Sequence, residues 1–181
     1  LGIEQAHVVG MSMGGMIGQT AALKDQSRFL SLSLCDTSSR VPPELRGAWD
    51  ERIATAQADG MEALLEGTME RWFSAEYMEN EPEECDRVRD MIRNTKVSGF
   101  SGCCRAIQGL DLTDRISAIS VPTQMIVGED DPGTPVAAHK VMHEKIAGSE
   151  LVVIPNALHF SNVEQKDAFN NAYIGFLGKH S

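Results

Sequence analysis

The chain has 181 residues, 42% of them hydrophobic and 23% charged, with a formal net charge of −10. That length allows one domain with a true core, or a core plus a small lid. The acidic balance speaks against nucleic acid as a partner, because nucleic acid rewards basic surfaces, and no apolar run approaches the roughly 20 residues of a membrane helix. Cys35, Cys85, Cys103 and Cys104 form neither a C-x-x-C pair nor a zinc spacing with histidine. They read as reduced thiols of a cytoplasmic protein that needs no metal and no other cofactor. No signal-peptide pattern is visible, and the chain opens on Leu1 rather than methionine, so the native protein is expected to start earlier.

In chain order, Val8 and Val9 read as a short buried strand and Met16 to Leu23 as a helix. Between them Gly10-Met11-Ser12-Met13-Gly14 fits G-x-S-x-G, a sharp strand-to-helix turn that holds a serine in a strained backbone with its hydroxyl exposed. The bracketing Gly10 and Gly14 are expected because a Cβ at either would collide as strand and helix fold back. The helix N-terminus points its amides and positive dipole end at the same place. A plain glycine-rich turn is the other reading of this stretch. A dinucleotide loop is not, since G-x-G-x-x-G would need glycine where Ser12 stands.

Phe29 to Cys35 (FLSLSLC) reads as a second strand, and Pro42-Pro43 closes that region. Residues 44–109 then lose all strand character. Helices are expected at 44–58, 61–73, 83–95 and 100–109, broken by Gly60, Pro82 and Ser98-Gly99. This stretch holds 14 of the 26 acidic residues against 8 basic ones, so most of the negative charge lies here. Strands return at 122–128 and 151–154, each followed by a helix, 134–147 and 163–178. The alternation predicts an α/β fold with a mainly parallel sheet and helices on both faces. It divides the chain into a core segment 1–43, a helical cap 44–110 and a second core segment 111–181.

In such sheets function gathers at the carboxyl ends of the strands, and three of those ends carry chemistry. Ser12 follows the first strand, Asp130 and Asp131 follow the third, and His159 follows the fourth within IPNALHFSNVEQ. A lone loop histidine or one turn-shaping aspartate would mean little. Together the order Ser12, Asp131, His159 matches one arrangement of nucleophile, acid and base and not the other known orders. Asp131, just before Pro132, is the expected partner of the imidazole, with Asp130 facing solvent. Thr134 reads as the next helix cap and Pro135 as its first residue. His7 lies at the wrong end of its strand. His139 and His143 share a helix face without H-E-x-x-H, so no metal site is assigned.

VVGMSMGGMIGQ, TMERWFS (68–74), VPTQMIVGEDDPGTP (121–135) and IPNALHFSNVEQ together resemble the α/β-hydrolase fold family, and within it the 3-oxoadipate enol-lactonases. The resemblance implies hydrolysis of a small carboxylate-bearing enol-lactone in aromatic-compound breakdown (the β-ketoadipate pathway). Ser12 would be the nucleophile, His159 the base and Asp131 the acid that fixes the imidazole. The Met13 N–H would be half of the oxyanion hole. The resemblance also implies that the helical cap closes over the site, with Trp72 as an apolar wall and Arg71 pairing with the substrate carboxylate; otherwise Trp72 is a core residue and Arg71 a solvated one. Rival activities are a carboxylesterase, a cofactor-free haloperoxidase or perhydrolase, and a non-catalytic ligand-binding member. A dehalogenase would need a carboxylate at Ser12. In this family several strands and a second oxyanion N–H precede the serine turn, so an N-terminal segment is expected, on the same chain or as a separate one. The partner expected is otherwise a small molecule, and oligomers are compatible with this reading.

Overall fold

The computed structural model describes residues 2–180; the outermost residues of the expected blocks, Leu1 and Ser181, lie outside them. The chain forms two compact units. One comprises Leu1–Ser39 with Asp111–Ser181, the other Arg40–Leu110.

The first unit is built on a parallel sheet of β1 (Ala6–Met11), β2 (Phe29–Cys35), β3 (Thr123–Gly128) and β4 (Glu150–Ile154), in that spatial order. Parallel strands buried on both faces read as nearly continuous apolar runs, and β3 is buried throughout. The alternation in β2 is misleading as a guide to exposure: Ser31 and Ser33 are buried, while Leu30 is 39% exposed. Ser31 tolerates this because its hydroxyl meets His7 Nδ1 of β1 at 2.8 Å. Helix α1 (Met13–Lys24) packs on β1 and β2.

The second unit is all helical: α2 (Arg46–Asp59), α3 (Leu65–Trp72), α4 (Ala75–Asn80), α5 (Pro82–Arg93) and α6 (Val97–Gln108). Its interior is Ile53, Met61, Leu65, Met69, Phe73, Cys85 and Ile92, among others. The expected break at Gly60 is the C-cap of α2, at φ 81°, and Pro82 opens α5 at its first turn, where a missing N–H costs nothing. The short α4, capped by Ser74 accepting from the Tyr77 N–H, is an element the sequence reading passes over.

In the sheet unit, α7 (Val136–Lys145) and α9 (Lys166–Lys179) pack on β3 and β4, with the single turn α8 (Ser161–Glu164) between β4 and α9. Cys35, Ile126, Ile154, Ala157 and Phe169 form a core cluster directly beneath the strand ends.

Candidate active site

Ser12 has φ 52° and ψ −118°, a backbone state that costs a non-glycine residue free energy and persists only where its surroundings impose it. Its N–H donates to the Cys35 carbonyl at 2.8 Å, which ties the turn to β2. A serine at a helix N-cap normally turns its hydroxyl to the helix amides. Ser12 occupies that position for α1 and makes no such bond. Its Oγ instead lies 3.0 Å from His159 Nε2.

The glycines of the turn divide differently from expectation. A Cβ on Gly10 would run into the Gly14 backbone, whereas one on Gly14 would meet nothing. The second constrained position is Gly15, whose Cβ would fall 2.6 Å from the Thr37 side chain. Gly10 and Gly15, not Gly10 and Gly14, are the residues the packing demands.

The loops after β3 and β4 are fastened to each other. The N–H groups of Glu129 and Asp130 donate to the carbonyls of Ile154 and Ala157, at 2.9 and 3.0 Å. A Cβ on Gly128 would strike the carbonyls of Ala157 and Leu158, so glycine permits this approach. The Leu158 N–H donates to Glu164. His159, 8% exposed, thereby reaches Asp131, with Nδ1 2.8 Å from Oδ2.

Asp131 is 3% exposed and fully engaged. Oδ1 accepts from the N–H groups of Gly133 and Thr134, and Oδ2 from Thr134 Oγ1 at 2.6 Å. Burial pushes its carboxyl up, but the His159 ring and these donors outweigh burial and bring its pKa to about 2. Thr134 is thus taken up by Asp131, and Pro135 is the cap of α7 instead. Asp130 is exposed.

Behind these three side chains lies a buried polar layer that the sequence reading does not single out. Asp36 directly follows β2, its carboxylate accepting from the Gly128 N–H at 2.8 Å and from Ser161 Oγ at 2.5 Å. Burial pushes its carboxyl up to about 7 against the pull of those two bonds. Thr37 Oγ1 donates to the Ser12 carbonyl at 2.6 Å, and its N–H donates to His139 Nε2 at 3.1 Å. His139 is fully buried and donates from Nδ1 to the Pro135 carbonyl; burial holds its pKa down at about 4. The available signal was the run Cys35-Asp36-Thr37, a carboxylate and a hydroxyl directly after an apolar strand.

Met13 opens α1, where the first N–H has no acceptor within the helix. Arg71 and Trp72 end α3 in the helical unit, both half-buried. Arg71 Nη2 donates to Thr68 Oγ1 at 3.1 Å, and burial, followed by the nearby Arg52 charge, lowers its pKa. His143 meets Ser149. Among the described residues no cluster of three or more His, Cys, Asp or Glu side chains is arranged for a metal ion, and no helix is long and apolar enough to cross a membrane.

Comparison with known proteins adds four findings. A family model described as alpha/beta hydrolase fold matches residues 1–166. The chain is 33% identical over 172 residues to 3-oxoadipate enol-lactonase 2 of Acinetobacter baylyi, covering 95% of this chain and 63% of that protein. It is 26% identical over 186 residues to RutD of Caulobacter sp. strain K31, a relative named for carbamate hydrolysis, covering 98% and 67%. Among solved structures, the enol-lactonase from Burkholderia xenovorans LB400 superposes with a TM-score of 0.92 at 35% identity, over 97% of this chain and 66% of that one. The chain therefore spans less than two thirds of the length of the curated lactonase it matches.

Proposed function

The chain belongs to the α/β-hydrolase fold family, and from that premise we propose that it is a serine hydrolase opening a small enol-lactone that bears a carboxylate. The observation that carries this reading is the row Ser12 Oγ, His159 and Asp131, joined at 3.0 and 2.8 Å. Asp131 keeps its charge and accepts the hydrogen bond from Nδ1–H, so Nε2 presents its lone pair to Ser12. As Oγ attacks the lactone carbonyl, its proton passes to Nε2. The Met13 N–H then stabilises the oxyanion. Collapse breaks the ring C–O bond, His159 returns the proton to the departing enol oxygen, and an acyl-enzyme forms. Water activated by the same imidazole then releases the acid. Arg71 is assigned to the substrate carboxylate and Trp72 to its apolar flank. The similarity to the lactonases supports the substrate class and, with it, cytoplasmic work in aromatic-compound breakdown.

A carbamate is the second reading, favoured by the similarity to RutD. The same row would act on either carbonyl. A serine-directed fluorophosphonate should label Ser12. Turnover should be highest for an enol-lactone, lower for a nitrophenyl ester and lowest for a carbamate. Faster carbamate turnover would replace the substrate, and the absence of label at Ser12 would overturn the hydrolase.

A further inference from the structure

Among the described residues, the non-glycine residues with positive φ are Ser12, Asp36 and Asn156, at 52°, 41° and 54°. Each lies just past the carboxyl end of a strand, in the row where function gathers. Ser12 is explained by its chemistry, and asparagine and aspartate both visit this region more often than most residues. Asp36 is set apart by its burial. It is a carboxylate with no exposed surface, at a site where an apolar side chain would avoid both desolvation and unpaired charge.

What the carboxylate gains is a span. Oδ1 accepts from the Gly128 N–H, three residues before Asp131 and at the root of its loop. Oδ2 accepts from Ser161 Oγ, two residues after His159. Asp36 is itself anchored to the sheet by its own N–H, which donates to the Ile126 carbonyl at 2.9 Å. We propose that Asp36 is a positioning residue: one carboxylate clamps the loop carrying Asp131 to the turn following His159, and so sets the contact between base and acid. It touches no reacting atom. The proposal rests on the reading of Ser12, Asp131 and His159 as a hydrolytic row. The ionisable groups that feel its charge are Asp131, His159 and the Cys35 thiol.

The test uses Asp36→Ala, Asp36→Asn and Ser161→Ala in the full chain, with nitrophenyl acetate as the probe substrate. Asp36→Ala removes both arms of the clamp, and kcat should fall about 10²-fold, as for an ångström-scale misplacement, with KM little changed. Asn keeps both arms, because its carbonyl accepts from Gly128 while the Ser161 hydroxyl turns to accept from its amide; kcat should stay close to wild type. Ser161→Ala removes one arm and should give an intermediate loss. The second readout needs no turnover. The proton held between His159 Nδ1 and Asp131 gives a far-downfield NMR resonance, which should broaden or vanish in Asp36→Ala and persist in Asp36→Asn. Wild-type kcat and an unchanged resonance in folded Asp36→Ala would overturn the clamp. If that variant does not fold, the same result in Ser161→Ala would do so. Asp36→Asn as impaired as Asp36→Ala would overturn it as well, since charge and not the span would then matter. Full turnover in Ser12→Ala would instead overturn the hydrolase reading, and the resonance would still decide the role of Asp36.

Discussion

In the sheet unit, Asp36, Asp131, His139 and His159 are at most 8% exposed, and each has a partner 28 to 147 residues away in sequence besides its local ones. In the helical unit most ion pairs lie in water. Arg87–Glu84 and Arg93–Asp90 are i, i+3 pairs with side chains 42–70% exposed, and Arg93 also reaches Glu62 at 2.8 Å. Buried polar groups are costly to leave unpaired and hold one geometry, whereas exposed pairs are screened and replaceable. The contrast separates a unit that must hold atoms within tenths of an ångström from one that needs to keep its helices soluble and packed.

The most severe way to break this contrast is at the first member of the row. Ser12→Ala should lower turnover by roughly 10⁴-fold or more, with the circular-dichroism spectrum unchanged, because Oγ is used in neither the helix cap nor the sheet. A loss of only a few-fold would mean that the buried row is not the reaction centre.

The pH dependence of stability sharpens the contrast further. Between about pH 4 and 6.5 the unfolded chain carries a proton on His139 that the folded chain lacks, so His139 costs stability as pH falls. Between 3.8 and about 7 the folded chain holds a proton on Asp36 that the unfolded chain has lost, so Asp36 costs stability as pH rises. The effects are on the order of 4 kcal/mol for Asp36 and 3 kcal/mol for His139, and in the wild-type chain they oppose each other. Denaturant titrations across this window should separate them. Relative to wild type, Asp36→Asn should become more stable as pH rises, and His139→Gln more stable as pH falls. Parallel curves for all three proteins would show that neither group is desolvated as its burial implies.

How much of this was legible follows the range of the interactions involved. Strands β2 and β3 and the turn at Ser12 are local patterns, readable from Phe29–Cys35, 122–128 and G-x-S-x-G, and the structure finds those strands at Phe29–Cys35 and Thr123–Gly128. Asp131 and His159 were readable because strand ends are where such sheets put their chemistry. Asp36, Thr37 and His139 were not. Their roles depend on which backbone N–H lies across the sheet, as Gly128 does 92 residues from Asp36, and no spacing in the sequence encodes that. Gly15 escaped for the same reason, because the atom it avoids belongs to Thr37.

Arg71 tests whether the helical unit takes part in recognition. Arg71→Ala should raise KM for a carboxylate-bearing lactone about 10- to 100-fold, the equivalent of one charge-assisted bond of roughly 1.5–3 kcal/mol, and leave KM for a neutral ester of similar size unchanged. Equal effects on both substrates would return Arg71 to its hydrogen bond with Thr68 and a structural role.

The smallest effect lies on α5 and separates two electrostatic terms that share one side chain. Glu84 pairs with Arg87 at 2.9 Å and also sits in the first turn of the helix, near its positive dipole end. Arg87→Ala removes the pair alone, worth roughly 0.2–0.5 kcal/mol. Glu84→Gln removes the pair and the dipole interaction, the latter adding roughly 0.3–1 kcal/mol. Glu84→Gln should therefore lower the unfolding midpoint more than Arg87→Ala at low ionic strength. Both groups are solvated, and the Debye length falls to about 3 Å in 1 M salt, so the two variants should converge on wild type there. The buried side chains of the sheet unit are shielded from counterions, and the Asp36→Asn and His139→Gln shifts should survive the same salt. If high salt erased those shifts too, the charges at the strand ends would be reachable by water, and the distinction between the two units would fail.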